Sequence, residues 1–247
     1  MRKNILRIVA ATTIVAVVAT GVTVYAVSPS AEVKASFAPL KVASTKQTSN
    51  SVTIKWAKVK GAEKYVVYGK QGTKEACGKA SKVKKLATYN SNITSKTFTK
   101  VAGKSVKKAT WYRFYVKALD KNGETIAISK SVHVVTNGGK YTNNKVTVNK
   151  SVLTKAKNLK VGNTLNVNAK VKGIGKGKAP GTSHGKELNY ESSNKEIATV
   201  SSNGKITANK TGTCYVYAYT VDGRYVAVKV VVTEEAPTTV AVTALQA

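Results

Sequence analysis

The stretch from residue 190 to 232 consists of short β-prone runs separated by tight turns. Ser202-Asn203-Gly204 and Asp222-Gly223 are turn sequences, because Asn, Asp and Gly tolerate the positive φ that short hairpins require. β-Branched runs follow both turns, at Ile206-Thr207 and from Val226 to Val232. Strands spaced about ten residues apart by such turns predict a β-sandwich.

Residues 214–219 alternate between two kinds of side chain. Because successive side chains of a strand point to opposite faces, Cys214, Val216 and Ala218 are predicted to face the core. The opposite face then carries a candidate ligand surface of four tyrosines, Tyr215, Tyr217, Tyr219 and Tyr225. Exposed tyrosines suit sugar rings or a partner protein. The alternative is that they pack against one another and against lysine stems as ordinary cross-strand pairs.

The order of motifs from residue 144 to 233 resembles the bacterial Ig-like domain, group 2. The motifs are YESSN, EIATV, NGKITA, GTCYV, DG and VAVKV, preceded by VTV and LKVGNTLNV. That family often carries Trp where this chain has Tyr190, which keeps a bulky aromatic at the position. The resemblance implies an Ig-like sandwich with Tyr190 and Cys214 in its core.

Residues 38–137 resemble a fibronectin type III domain through SVTIKW, GAEKYVVYG and TWYRFYVKALDKNGE. The resemblance implies that Trp56 is the core tryptophan. It also implies that Tyr112 is the corner tyrosine, whose hydroxyl returns to the backbone. Between these motifs, residues 71–108 are lysine-rich and match poorly, and Asn92-Ile93-Thr94 is the strand placed with least support.

The chain is therefore predicted to be all-β, with two tandem Ig-like sandwiches after an N-terminal signal or anchor segment. Its 247 residues have room for two such domains. Residues 138–143, rich in Gly and polar side chains, are expected to form a short hinge, and 234–247 a flexible tail. Cys77 and Cys214 fall one in each domain, so no disulfide within a domain is expected.

The first 35 residues have the composition of an export signal. Arg2, Lys3 and Arg7 precede an uncharged apolar run that continues to Val27. Cleavage after Ala35 is favoured over cleavage after Ala26, and the run is also near the length of an uncleaved membrane anchor. Either outcome predicts a protein at the extracellular side or cell surface of a Gram-positive-type bacterium.

The charge of the chain is strongly unbalanced: 41 Lys and Arg face 11 Asp and Glu, a net charge of +30. Nearly all the cations are lysines, which give a diffuse solvated field rather than the bidentate contacts of arginine. Sequence-specific recognition of nucleic acid is therefore not expected. Cell-wall polyanions or glycans, or another surface protein, are the expected partners, and salt should weaken the electrostatic part.

A Gly/Lys-rich insert, residues 173–185, interrupts the second sandwich. Glycines let backbone amides approach an anion, so Lys176, Lys178 and Lys186 form a candidate polyanion loop. The simpler interpretation is a surface loop that tolerates insertion. The insert lacks the Gly-Lys-Ser/Thr ending of a nucleotide-binding loop.

The residues needed for catalysis are few. His133 and His184 are the two histidines, and Asp120 and Asp222 are the two aspartates, both in turn contexts. No metal-binding motif occurs, and no cofactor is expected. The expectation is a non-enzyme that binds or presents, with a structural spacer or a carbohydrate-binding accessory of secreted glycoside hydrolases as alternatives.

Overall fold

The computed structural model describes residues 32–72, 83–174 and 183–234, and these ranges contain two β-sandwiches. The strands of the first are β1 (Ala35–Ser36), β2 (Val42–Gln47), β3 (Val52–Trp56), β4 (Lys64–Gly72), β5 (Lys84–Asn90), β6 (Ser95–Phe98), β7 (Lys100–Val101), β8 (Lys104–Ser105), β9 (Trp111–Leu119), β10 (Thr125–Ser129) and β11 (Val132–Val135). The signal or anchor prediction, Cys77, Lys176, Lys178 and the tail from residue 235 lie outside the described ranges.

The larger sheet of the first sandwich has the order β5-β4-β9, with two strands sharing the far side of β9. β11 pairs with the first half of β9 and β10 with the second half, both antiparallel. β1 adds to β10 in parallel. The smaller sheet is β2-β3-β6, and β7 and β8 form a separate hairpin. This is the two-sheet arrangement expected for a fibronectin type III-like fold.

The core of the first sandwich follows from strand alternation. Val52, Ile54 and Trp56 of β3 are buried, as are Tyr112, Phe114 and Val116 of β9. Burying a side chain of this size contributes about 1.5–3 kcal/mol. The Tyr112 hydroxyl accepts a hydrogen bond from the Lys107 backbone N–H at 2.8 Å, which is the geometry expected of a corner tyrosine.

Two features of this sandwich differ from the sequence expectations. Residues 91–94 form the turn between β5 and β6, so the predicted strand at Asn92-Ile93-Thr94 is absent there. The Ile93 N–H instead bonds to the Asn90 carbonyl at 3.0 Å, because Ser and Asn favour turns. β10, which the motifs did not indicate, continues the sheet after the turn at residues 121–124.

The second sandwich begins at β12 (Asn144–Thr147). It continues with the helix α1 (Lys150–Lys155), a 3-10 turn (Ala156–Asn158), β13 (Leu159–Lys160), β14 (Thr164–Asn166), β15 (Lys170–Gly173), the short helix α2 (Ser183–Lys186), β16 (Asn189–Ser192), β17 (Ala198–Val200), β18 (Lys205–Ala208), β19 (Gly212–Tyr219) and β20 (Tyr225–Thr233). Its sheets have the orders β13-β20-β19-β16, β14-β18-β17 and β12-β15. The fold class is all-β and Ig-like.

The core of the second sandwich lies between these sheets. Cys214, Val216 and Ala218 of β19 are buried in it together with Val228, Val230 and Val232 of β20. Cys214 is a free cysteine, and burial raises the pKa of its thiol. Tyr190 packs against the edge of the same core, and burial raises the pKa of its hydroxyl.

Candidate binding surface at the junction of the two sandwiches

The turn between β19 and β20, residues 220–224, contacts the first sandwich and is called the junction turn. Its Thr220 Oγ1 donates to Asp222 Oδ1 at 2.7 Å, and the Gly223 N–H donates to the Thr220 carbonyl at 2.8 Å. Gly223 has φ +76°, a value that L side chains rarely adopt. Hydrogen bonds within the turn and the positive φ of Gly223 therefore stabilise the shape of this element.

The junction turn joins both sheets of the first sandwich. On one side, Ser44 N–H of β2 donates to the Asp222 carbonyl at 3.1 Å, and Arg224 Nη2 donates to the Thr45 carbonyl at 3.0 Å. These contacts fall at a bulge of β2 between Ser44 and Lys46. On the other side, His133 N–H of β11 donates to the Val221 carbonyl at 2.7 Å. The turn thus provides hydrogen-bond partners for backbone groups at the edges of β2 and β11, which would otherwise have none from their own sheets.

The close fit leaves no room for a side chain at Gly223. A Cβ atom there would lie 1.9 Å from the Val42 carbonyl oxygen and 2.8 Å from the Ala43 Cα. Within the second sandwich, the Asp222 Oδ2 accepts a hydrogen bond from the buried Asn144 N–H at 2.8 Å, which connects the junction turn to β12. Linker residue Tyr141 packs on Trp111 with ring centroids 6.2 Å apart. Residues 138–143, predicted from the sequence as a short hinge, thus include one aromatic ring that contacts the first sandwich.

A second connection comes from residues 35–38, called the N-terminal clip, which precede β2 but contact β16 and β19. The Glu191 carboxylate accepts hydrogen bonds from the Phe37 N–H at 2.9 Å and the Ala38 N–H at 2.8 Å, and from the Ser36 hydroxyl. Phe37 stacks on Tyr219 with ring centroids 4.0 Å apart. The clip thereby joins the start of the first sandwich to the second.

The clip changes the predicted tyrosine surface. Tyr217 and Tyr219 are only 8% exposed, whereas Tyr215 and Tyr225 are 42% and 43% exposed. An open face with all four tyrosines was one of the two interpretations of the sequence, and the structure differs from it because Phe37 covers the middle of the row. The other interpretation, packing against one another and against a lysine stem, describes Tyr217, which contacts Tyr215, Tyr225 and Lys41. Burial, with the nearby Glu191 carboxylate, raises the pKa of Tyr219 to about 12. Exposed aromatic surface remains at Tyr215 and Tyr225.

The third connection is a pair of histidines. His133 Nδ1 of β11 lies 3.2 Å from His184 Nε2 of α2, and His184 Nδ1 lies 3.3 Å from Glu187 Oε2. Burial, followed by the charges of Arg113, His184 and Lys70, lowers the pKa of His133 to about 4. The pair lines a cleft of about 260 Å³ between the sandwiches. Nothing in the sequence indicated that these two histidines, 51 residues apart, lie side by side.

A separate cleft, of about 320 Å³, opens beside the junction turn and is called the junction cleft. Lys41, Lys55 and Trp56 of the first sandwich line it together with Arg224 and Tyr225 of the second. Lys41 Nζ also lies 5.0 Å from the centre of the Tyr217 ring. Burial lowers the pKa of Lys41, although the Glu191 charge opposes this effect. The cleft thus places cations beside an exposed aromatic ring.

The other residues singled out from the sequence lie mostly in the cores. Trp56 and Tyr112 lie in the first core and Tyr190 and Cys214 at the second, while Lys186 is exposed at the end of α2. Sequence reasoning did not find the roles of Glu191, the junction turn or the histidine pair. Of these features, only the junction turn was recognisable in the sequence, through the Asp222-Gly223 dipeptide. That dipeptide predicts a hairpin and gives no indication of an interface. Among the described residues, no cluster of three metal-ligating side chains occurs and no helix is long and apolar enough to span a membrane.

Comparison with known proteins identifies a family for the second sandwich. The model of the bacterial Ig-like domain (group 2) family matches residues 142–232. No curated protein matches the chain. Domains of this kind are typical of bacterial surface or extracellular proteins.

Solved structures that match this chain include an intimin mutant of EHEC O157:H7. It is 21% identical over 30% of this chain and 34% of that chain, with a TM-score of 0.23, so the chain spans about a third of its length. The fn3 domain of human contactin 1 is 18% identical over 50% of this chain and 94% of that chain, with a TM-score of 0.33. A 282-residue C-terminal intimin fragment, solved with the intimin-binding domain of the translocated intimin receptor, is 15% identical over 78% of this chain and 62% of that chain, with a TM-score of 0.27.

Proposed function

We propose that this chain, a fibronectin type III-like sandwich followed by a bacterial Ig-like domain of group 2, is a non-catalytic exported cell-envelope protein. It acts as an adhesion, binding or presenting module, and its basic surface associates with cell-wall polyanions of a Gram-positive-type envelope. Both kinds of domain are generally non-catalytic. The proposal extends the surface-protein character of the domains to a ligand class.

The observation that carries the proposal is that the positive charge is not neutralised within the fold. Between residues that the structure describes, the one ion pair joins His184 to Glu187 and uses no lysine or arginine. Glu191, a further carboxylate near the junction, is occupied by backbone N–H groups of the N-terminal clip. Most of the lysine charge on the described residues is therefore available to external anions.

The lysines that supply this field are spread over both sandwiches. Exposed examples are Lys55, Lys60, Lys64, Lys104, Lys145, Lys155, Lys205, Lys210 and Lys229. An extended field of point charges suits a flexible polyanion, which can contact many lysines at once without a fixed geometry. A repeating phosphodiester polymer of the wall has that chemistry.

A structural spacer is the second candidate, and the bonded junction between the sandwiches favours it. A two-domain unit held by backbone hydrogen bonds projects its far end at a fixed distance, as a spacer requires. In such a role another surface protein would be the partner. A carbohydrate-binding accessory is the third candidate, supported by the exposed rings of Tyr215 and Tyr225.

The test uses the exported chain, which begins at Ser36 after the favoured cleavage. It is sedimented with purified Gram-positive cell walls, with and without teichoic acids, across a series of salt concentrations. Polyanion binding predicts that retention needs teichoic acid and falls steeply as salt is raised. Retention that survives both treatments would contradict it and favour a specific glycan. Absence of retention under all conditions would leave the spacer role.

A further inference from the structure

We propose that the junction cleft binds a sugar residue that carries an anionic group, either a carboxylate or a phosphate. This inference rests on the proposed wall association and adds a defined subsite to it. The cleft is formed by both sandwiches, with Lys41 and Lys55 on one wall and Arg224 and Tyr225 on the other. Neither sandwich alone provides the complete set.

The charge of the lining determines the sign of the ligand. Lys41, Lys55 and Arg224 are the charged residues that line the cleft, and no Asp or Glu is among its lining residues in the described part of the chain. Nearby Glu191 holds the N-terminal clip through its two carboxylate oxygens. An anionic group entering the cleft therefore meets three cations without a competing carboxylate on the wall.

The donors on these cations are only partly used inside the protein. Arg224 Nη2 donates to the Thr45 carbonyl at 3.0 Å, which positions a guanidinium that has five N–H donors in all. Lys41 Nζ donates to the Ala38 carbonyl at 2.8 Å, and an ammonium has three donors. Lys55 is exposed at the rim. Arg224 and Lys41, which are held in place, and the exposed Lys55 can together bind the oxygens of a carboxylate or a phosphate.

The exposed tyrosine on the cleft wall indicates that the anionic group of the ligand is attached to a sugar ring. Tyr225 is 43% exposed, and its ring is held edge-on to Phe37 and Tyr217 at centroid distances of 5.4 and 5.8 Å. A tyrosine ring fixed in this way presents a rigid amphipathic face, onto which the apolar side of a pyranose can pack at low entropic cost. Tyr215, stacked beside Tyr217 at 6.4 Å, extends the aromatic surface outward. A free inorganic anion would leave this wall unused.

The cleft is about the size of one small ligand. Its volume of about 320 Å³ lies at the lower end of the range for small-molecule sites, which suits one sugar residue rather than a long oligomer. One residue of a wall polymer could occupy the cleft while its neighbours contact the exposed lysines. The cleft would then supply selectivity, and the lysine field would supply most of the affinity.

The experiment is an amide NMR titration of the exported chain at low, fixed salt with four probes: glucuronate, glucose 6-phosphate, glucose and inorganic phosphate. We expect saturable shifts at Lys55, Arg224 and Tyr225 with the two charged sugars. Glucose and phosphate should bind at least about fivefold more weakly, since each lacks one of the two kinds of contact. Comparison of glucuronate with glucose 6-phosphate tells which anionic group is preferred.

The variants are Lys55→Gln and Tyr225→Ser, with Lys205→Gln as the matched control, because it removes the same charge from an exposed site on β18. Lys55→Gln should weaken binding of the charged sugars by about two- to fivefold and Tyr225→Ser by about fivefold, while Lys205→Gln leaves it unchanged. Phosphate binding as tightly as glucose 6-phosphate, equal effects of Lys55→Gln and Lys205→Gln, or no saturable binding of either charged sugar would overturn the inference.

The same variants separate this inference from the proposed function. If the charged sugars do not bind but salt-sensitive retention on teichoic acid-containing walls persists, the subsite is wrong and the polyanion function stands. If neither is observed, both proposals fail.

Discussion

Individual residues of this protein often carry two constraints at once. Gly204 has φ +84°, and a Cβ atom there would lie 2.6 Å from the Tyr190 ring, so both the backbone conformation and the packing require glycine. Glu191 similarly faces Tyr217 across a strand pair and also accepts hydrogen bonds from the N–H groups of the clip. Substitutions at such positions should cost more than either constraint alone predicts.

Gly204→Ala should destabilise the second sandwich by about 2 kcal/mol more than Gly162→Ala does. Gly162 has the same φ of +84°, but an added Cβ atom there would have no neighbour within 4 Å, so it controls for backbone strain. The measurement is the free energy of unfolding in urea for each variant. Equal losses would show that the Tyr190 ring moves aside freely.

Stability should fall as the pH is lowered because of His133. The pKa of His133 is about 4 in the folded chain and 6.5 in a free histidine, so the unfolded state binds the proton more readily. The stabilising contribution is complete above pH 6.5 and is lost as pH falls toward 4, at a cost of up to about 3 kcal/mol. Urea unfolding across this window measures the slope, and His133→Asn should flatten it. A slope unchanged by that substitution would contradict the role of His133.

At the scale of elements, short segments rather than sheets hold the two sandwiches together. The junction turn bonds to β2 and β11, the N-terminal clip bonds to Glu191, and α2 places His184 beside His133. Each contact is local and involves few residues. A single substitution can therefore break one of these three connections without unfolding either sandwich.

Gly223→Ala should break the connection that the junction turn makes with β2, while the N-terminal clip and the histidine pair stay in place. A Cβ there would lie 1.9 Å from the Val42 carbonyl oxygen, which the turn can relieve only by withdrawing from β2. Gly123→Ala is the matched control, because Gly123 has φ +80° and nothing within 4 Å. NMR relaxation should show more motion between the two sandwiches for Gly223→Ala than for the control. Equal motion between the sandwiches in both variants would contradict the role of the turn.

Glu191→Gln should release the N-terminal clip and expose the tyrosines beneath Phe37. The amide keeps the shape of the side chain but replaces one acceptor oxygen with a donor, so the Phe37 and Ala38 N–H groups cannot both stay bonded as they are. Chemical nitration followed by mass spectrometry should then modify Tyr217 and Tyr219 several-fold faster. Glu196→Gln, at an exposed position, is the control and should leave their reactivity unchanged.

At the scale of the whole molecule, the dominant property is unbalanced charge on two packed sandwiches. A chain with 41 basic and 11 acidic residues repels itself, and the repulsion is greatest when salt is low. The bonded junction must hold against this repulsion as well as against thermal motion. The same field gives the protein its expected attraction for polyanions.

The melting temperature should therefore rise when sodium chloride is increased from low ionic strength to about 0.15 M, where the Debye length falls to about 8 Å. Screening lowers the repulsion among lysines of the compact state, and few internal ion pairs exist among the described residues to be weakened in return. Thermal unfolding followed by circular dichroism provides the measurement, with the chain at constant low ionic strength as the reference. A melting temperature that falls with salt would contradict the dominance of repulsion.

The sequence by itself determined the architecture. Alternation in 214–219, the turn dipeptides and the two motif sets were enough to predict an all-β chain with two sandwiches, because strand periodicity and turn chemistry are local properties. They also placed Cys214, Val216 and Ala218 in a core, and the same alternation put the tyrosines on the opposite face. The charge imbalance likewise needed only counting.

Only the tertiary structure decided which tyrosines on that opposite face are buried and which contacts form between the two sandwiches. Phe37, far away in the sequence, covers Tyr217 and Tyr219, and the junction turn bonds to a strand bulge that no pattern indicated. Such contacts join residues far apart in the chain, so neither periodicity nor spacing records them. The histidine pair and the junction cleft arise in the same way, because each depends on side chains that meet only when both sandwiches pack together.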